Sequence, residues 1–242
     1  MAILEVEHLS KKFDRTEVLG DISFSLERGK VLSIIGSSGS GKTTLVNLIL
    51  RFYDCQSGEI YVGGRDIKSY PTTELRKKIS AAMQKAVLFK GTIESNIRQG
   101  KHDASDSDIL EAARVSQALE FIEKKPKKFG SDVERSGKNL SGGQKQRLSI
   151  ARAIVSKPEI LILDDCTSAL DYATESRFRS ALREYSSDMT VIIVSQRISG
   201  IKDADNIIVM DNGTILAQGT HSELLKNCEK YAEFARSQAS SN

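Results

Sequence analysis

Nine consecutive residues carry the clearest chemistry in this 242-residue sequence: Gly36, Ser37, Ser38, Gly39, Ser40, Gly41, Lys42, Thr43 and Thr44. Glycines let a backbone wrap closely enough for successive N–H groups to face phosphate oxygens, and Lys42 adds a fixed cation. The segment follows the apolar run Val31–Ile35 and precedes Leu45, Val46, Leu48 and Ile49. Strand, loop and helix thus come in the order that aims a positive helix end at an anion. This is the pattern of a P-loop in its proper setting. Lys42 would hold the β- and γ-phosphates of a nucleoside triphosphate, and the Thr43 hydroxyl would ligate magnesium.

Two further segments offer matching chemistry. The apolar run Ile160–Leu163 ends in two carboxylates, Asp164 and Asp165. A strand of that kind presents Asp164 at its carboxyl end, where α/β sheets bind ligands, and Asp164 would hold magnesium through water. Leu140-Ser141-Gly142-Gly143-Gln144 precedes a stretch in which Leu148, Ala151 and Val155 share one helical face. A serine and two glycines at a helix start make a second phosphate-binding terminus.

These residues need elements to hold them. Glycine-bounded apolar runs predict strands at Ile3–Val6, Ile22–Leu26, Val31–Ile35 and Glu59–Val62, so the chain opens β-rich. From Asp103 to Lys125 the pattern turns helical, opening on Ser105-x-x-Asp108 as a capping box and running through Ile109, Ala112 and Ala113. Short buried strands at Ile160–Leu163, Val191–Val194 and Ile207–Met210 then alternate with helical stretches, the signature of parallel α/β architecture. The α/β core embraces an inserted helical subdomain. Only the tail from Ser237 to Asn242 reads as loose.

Composition excludes several classes. With 39% apolar residues the chain can bury a substantial core, and a net charge of +3 from 35 basic and 32 acidic residues is too balanced for a nucleic-acid binder. Phosphate affinity must then come from a local site. No apolar run approaches the roughly 18 residues of a spanning helix, and residues 1–5 do not read as a secretion leader. The expected setting is the cytosol, or a membrane reached only through a partner. Cys55, Cys166 and Cys228 are odd in number and far apart, so they suggest neither a disulfide framework nor a zinc site. They read as structural or incidental thiols.

Leu140–Gln144, set between the P-loop and Asp164, resembles the signature of ABC transporter nucleotide-binding domains, and the resemblance covers roughly Leu4 to Leu225. It implies the ABC ATPase fold: a P-loop NTPase, RecA-like core with an N-terminal antiparallel β part and an inserted helical subdomain. The core lobe would span about 1–84 and 158–242, and the helical subdomain about 85–157, in a single domain 1–242. It also implies ATP and Mg2+, an ABC transmembrane domain as partner, and a second nucleotide-binding domain in a head-to-tail dimer. Ser141, Gly143 and Gln144 would cap the γ-phosphate held by the opposite subunit. The chain would lie on the inner face of the cell membrane.

The same resemblance assigns Phe13 to the adenine and Gln84 to magnesium and to sensing the membrane domain. Ser168-Ala169-Leu170-Asp171 matches the loop that crosses to the partner site. The run from Leu88 to Ile97 is similar to the exporter type, whereas Met1 to Thr44 is more similar to a free-standing amino-acid-importer ATPase. A mosaic or designed chain and drift within one lineage both stay open.

This sequence departs from the family pattern at two catalytic positions. Asp165 stands where the family places a glutamate that polarises the attacking water, one methylene shorter. Gln196 stands where the family has a histidine; it can hydrogen-bond a γ-phosphate but cannot carry a proton. His8, His102 and His221 lie elsewhere and read as solvated or locally bonded. The paired loss with an intact signature resembles the degenerate-site subunit of heterodimeric bacterial exporters, with slow turnover of its own. A nucleotide-gated dimerisation module with negligible hydrolysis is the alternative reading. In Asp132–Gly137, Glu134 lies one residue earlier than the exporter pattern places its glutamate, which puts that segment's contact with membrane loops in question. A DNA-repair or chromosome ATPase would need a long coiled-coil or zinc insertion, for which 242 residues leave no room.

Overall fold

A computed structural model describes residues 2–185 and 189–239. Its strands, in chain order, are β1 (Ala2–Phe13), β2 (Thr16–Glu27), β3 (Val31–Gly36), β4 (Ser57–Val62), β5 (Arg65–Asp66), β6 (Ile79–Ala82), β7 (Gly91–Thr92), β8 (Asp132–Val133), β9 (Ile160–Asp164), β10 (Thr190–Val194), β11 (Asn206–Asp211) and β12 (Thr214–Gly219). The α-helices are α1 (Lys42–Ile49), α2 (Thr72–Lys78), α3 (Ile93–Arg98), α4 (Asp106–Val115), α5 (Leu119–Glu123), α6 (Gly142–Ile154), α7 (Tyr172–Tyr185), α8 (His221–Asn227) and α9 (Glu229–Ala239). The chain folds into two compact units, Met1–Arg76 with Thr190–Asn242, and Lys77–Met189.

The first unit contains two sheets. In one, β1 pairs antiparallel with β2 on one side and β4 on the other, and β5 extends it beyond β4. Alternation of buried and exposed residues along β2 fits a sheet with one covered face. In the other, β3 lies between β10 and β11, parallel to both, and β12 closes the edge antiparallel to β11. Five of the six residues of β3 are buried, as a strand flanked on both sides requires. Ile35, Ile207, Val209, Leu224, Cys228 and Tyr231 join the two C-terminal helices to this sheet in one apolar cluster. The fully buried Tyr231 keeps its hydroxyl satisfied by His221 Nδ1 at 2.8 Å.

The second unit pairs β6 parallel with β9 and packs α6 against them. The short ladder β7–β8 brings the Gly91-Thr92 turn beside Asp132-Val133. Ser105 caps α4 with a reciprocal box, accepting from Asp108 N while the Asp108 carboxylate accepts from Ser105 N.

Two expectations about local structure fail. The helical stretch Asp103–Lys125 is two helices, because Gln117 adopts φ 60° and α5 restarts from Ala118. The tail is not loose from Ser237 onward. Helix α9 continues to Ala239, and Gln238 bonds back to residues 196 and 198. Residues 240–242 lie outside the described residues.

Candidate nucleotide site

In the first unit, β3 delivers the glycine-rich loop and α1 leaves it. A Cβ on Gly36 would stand 2.3 Å from the Met210 carbonyl oxygen of β11 and 2.6 Å from Ser40 Oγ, so only glycine lets the strand end so close to its neighbour. Gly41 caps α1 with φ 97° and has no side chain to bond the first turn. The helix start is therefore not closed by a side chain of its own cap residue. Lys42 is only 8% exposed, and its Nζ donates to Gly36 O at 2.8 Å, Ser37 O at 2.7 Å and Ser40 Oγ at 3.1 Å. Its ammonium is held inside the loop by the loop's own acceptors. Ser37, Ser38, Gly39 and Thr43 are exposed, Thr44 is half-buried and Ser40 is buried.

Two other expected residues lie in this unit. Phe13 ends β1 with 44% of its surface exposed and meets Tyr53 edge to face, centroids 5.5 Å apart. Gln196 is exposed just past β10. Gln238 of α9 holds that turn by donating its amide to Gln196 O at 2.7 Å and accepting from Ile198 N at 2.8 Å.

In the second unit, β9 ends at Asp164, which is 2% exposed, and the chain turns sharply at Asp165 with φ 46°. Aspartate enters this left-handed region more readily than most residues, since its short side chain can bond locally. Gln84 Nε2 donates to Asp165 Oδ2 at 3.1 Å, joining two of the expected catalytic residues. The buried Gln146 of α6 donates to Gln84 O at 2.8 Å and anchors that loop. Cys166 is buried beside these carboxylates, and burial followed by the charge of Asp164 pushes its thiol well above the usual range. It stays protonated and inert.

The segment Leu140–Gln144 starts α6. Ser141 Oγ accepts from Gln144 N at 3.2 Å, and Gln144 Oε1 accepts from Ser141 N at 3.1 Å. Each side chain gives one acceptor to this capping box, and Ser141 and Gly142 are exposed while Gly143 is half-buried. Gly143 packs on the turn before α7: a Cβ there would lie 3.1 Å from Ala169 O. Asp171 caps α7 through Thr174 N and Oγ1 at 2.9 and 2.8 Å, and those bonds hold its carboxyl below the ordinary range.

Several residues that build the site escaped the sequence reading. Gln146, Gln238 and Tyr53 act through contacts with residues far along the chain, so no short motif marks them. The three histidines are as expected: His8 pairs with Asp21 at 2.7 Å, His221 with Tyr231, and His102 is exposed. Among the described residues, no three His, Cys, Asp or Glu side chains group to hold a metal by themselves. Thr43, Gln84 and Asp164 offer hard oxygen atoms. Oxygen donors of this kind suit magnesium, which keeps waters and shares substrate phosphates rather than taking a cage of side chains.

A buried parallel strand, a glycine loop around an inward lysine and a helix start without a side-chain cap define a P-loop nucleotide-binding protein. Residues 19–168 match the ABC transporter family. The chain belongs to that family, as an ATP-binding domain with the ABC ATPase fold. It is similar to an ATP-binding/permease protein of Staphylococcus aureus (strain NCTC 8325 / PS 47) described for multidrug export, with 44% identity over 224 residues, 92% of this chain and 39% of the relative. The protein so described in S. aureus strain bovine RF122/ET3-1 gives the same identity and coverage. Among solved structures, a bacterial Atm1-family ABC exporter with ATP bound superposes with a TM-score of 0.94 at 38% identity, over 98% of this chain and 42% of the other. The chain thus spans about two fifths of the length of these relatives.

Proposed function

We propose that this chain is the ATP-driven part of an exporter, working with a transmembrane partner and a second nucleotide-binding domain at the inner face of the cell membrane. Among the described residues no helix is long and apolar enough to cross a membrane, so transport would need a partner segment. Lys42 and the loop from Gly36 to Thr44 would hold the triphosphate, with Phe13 against the base. Thr43, Asp164 and Gln84 would hold Mg2+, which neutralises phosphate charge when bound. Residues 85–157 would act as the subdomain that answers to the membrane partner.

The observation that carries this reading is the pair of differently built helix starts. Helix α1 is capped by a glycine, and α6 by a closed Ser141–Gln144 box whose Ser141 and Gly142 are exposed. In this reading the first would surround a phosphate in its own chain, and the second would meet a phosphate brought by a second chain.

Hydrolysis by this chain's own site is slow in this proposal. Asp165 is a methylene short of the usual base, and Gln196 cannot take a proton. The bond from Gln84 to Asp165 favours the second reading, a nucleotide-gated dimerisation module with negligible turnover, because it engages the carboxylate that would orient water.

Assembly tests the proposal. Sedimentation at several protein concentrations should show a monomer with Mg-ADP and a dimer with Mg-ATP, since slow hydrolysis lets an ATP-bound sandwich persist. Ser141→Arg should abolish the dimer while ATP still binds the monomer. That substitution also removes a helix cap worth about 1 kcal/mol, so its unfolding temperature is measured alongside. A monomer in both nucleotides at high concentration would refute self-association and point to a dedicated partner chain.

A further inference from the structure

The exposed aromatic Phe13 sits at the tip of a hairpin that needs outside support. Its strand pairs with β4 only as far as Ser10 opposite Ser57, and beyond that point Lys11, Lys12 and Phe13 face β2 alone. Asp14, at the turn, has φ 53°. A two-stranded tip of this kind is marginal by itself. The segment from Tyr53 to Gln56 supplies what β4 does not. Gln56 Oε1 accepts from Lys12 N at 2.6 Å and Gln56 Nε2 donates to Lys12 O at 2.8 Å, continuing the ladder with a side-chain amide. Lys11 Nζ donates to Asp54 O at 2.7 Å and lies 5.3 and 5.2 Å from the Phe13 and Tyr53 ring centres. Tyr53 then sets the Phe13 ring by edge-to-face contact at an interplanar angle of 83°.

We infer that Gln56 and Tyr53 are positioning residues for the base of the nucleotide: they hold the backbone and ring of Phe13 where a purine can stack. The inference rests on the reading of Phe13 as the base-stacking residue. Neither residue belongs to the phosphate loop, so their effect is confined to the part of the affinity that comes from the base. An aromatic stack is worth roughly 5- to 150-fold in affinity, and loosening it forfeits part of that.

Calorimetric titration with ATP and with inorganic tripolyphosphate, which has the phosphates and no base, separates the contributions. Phe13→Leu should weaken ATP most. Tyr53→Leu and Gln56→Ala should each weaken ATP about three- to tenfold while tripolyphosphate binds as to the parent, and Gln56→Glu, which keeps the acceptor for Lys12 N, should fall between. Unchanged ATP affinity in Tyr53→Leu and Gln56→Ala, with Phe13→Leu weakened, overturns the inference and leaves the stacking role of Phe13 standing. Unchanged affinity in Phe13→Leu overturns both. Equal loss for ATP and tripolyphosphate in the Gln56 and Tyr53 variants assigns them a general structural role and also overturns the inference.

Discussion

Replacing Lys42 tests the phosphate loop most directly. Lys42→Met keeps the hydrocarbon stem and removes the ammonium, which donates to Gly36 O, Ser37 O and Ser40 Oγ. Those bonds come from a charged donor and are each worth about 1.5–3 kcal/mol, offset in large part because a buried charge is no longer desolvated. The loss of stability in the nucleotide-free protein is read from its unfolding temperature without ligand. Nucleotide binding should suffer in addition. Hydrogen bonds to charged groups contribute about 1.5–3 kcal/mol each, so losing contacts to two phosphates weakens ATP by at least roughly 150-fold. At nucleotide one hundred times the parent dissociation constant, binding stabilises the parent by about 2.7 kcal/mol and the variant by about 0.3 kcal/mol. For a chain of this size that is an upward shift of roughly 5–11 °C in the parent and about 1 °C in the variant. Thermal unfolding with and without Mg-ATP reads it. A shift in Lys42→Met equal to the parent's would refute the assignment of Lys42 to the phosphates.

Two predictions concern turnover and pH. Asp165→Glu with Gln196→His should raise phosphate release at saturating Mg-ATP by at least roughly tenfold, with each single change doing less. Glutamate at φ 46° costs roughly 1 kcal/mol, so a lower unfolding temperature should accompany the gain; an unchanged rate with ATP still bound would place the defect elsewhere. Asp108 is held down at about 2 from an ordinary 3.8, chiefly by its hydrogen bond with Lys157 and then by the Ser105 N–H. A depressed carboxyl contributes stability that is full above about pH 4 and disappears as pH falls through about 2. The difference in unfolding temperature between the parent and Asp108→Asn should then be largest above pH 4 and shrink towards pH 2. A difference that stays constant across that range would show that the ion pair does not stabilise the fold.

The strands at Val31–Ile35, Ile160–Leu163, Val191–Val194 and Ile207–Met210 were legible because parallel strands buried on both faces read as unbroken apolar runs. The glycine loop was legible because the close approach to β11 leaves no choice of residue at Gly36. Local chemistry writes itself into adjacent positions, and so did the capping box of Ser105 and Asp108. The tertiary structure decided the rest. The break at Gln117 is a single left-handed residue inside an otherwise helical pattern, and helical periodicity does not register it. The tail from Ser237 reads as polar and loose, yet Gln238 stays ordered because the chain returns residues 196 and 198 to it. Gln146 on Gln84 and Gln56 on Lys12 follow the same rule. A glutamine side chain that satisfies a distant backbone is like any surface glutamine in sequence, because its partner is chosen by chain topology and not by neighbouring residues.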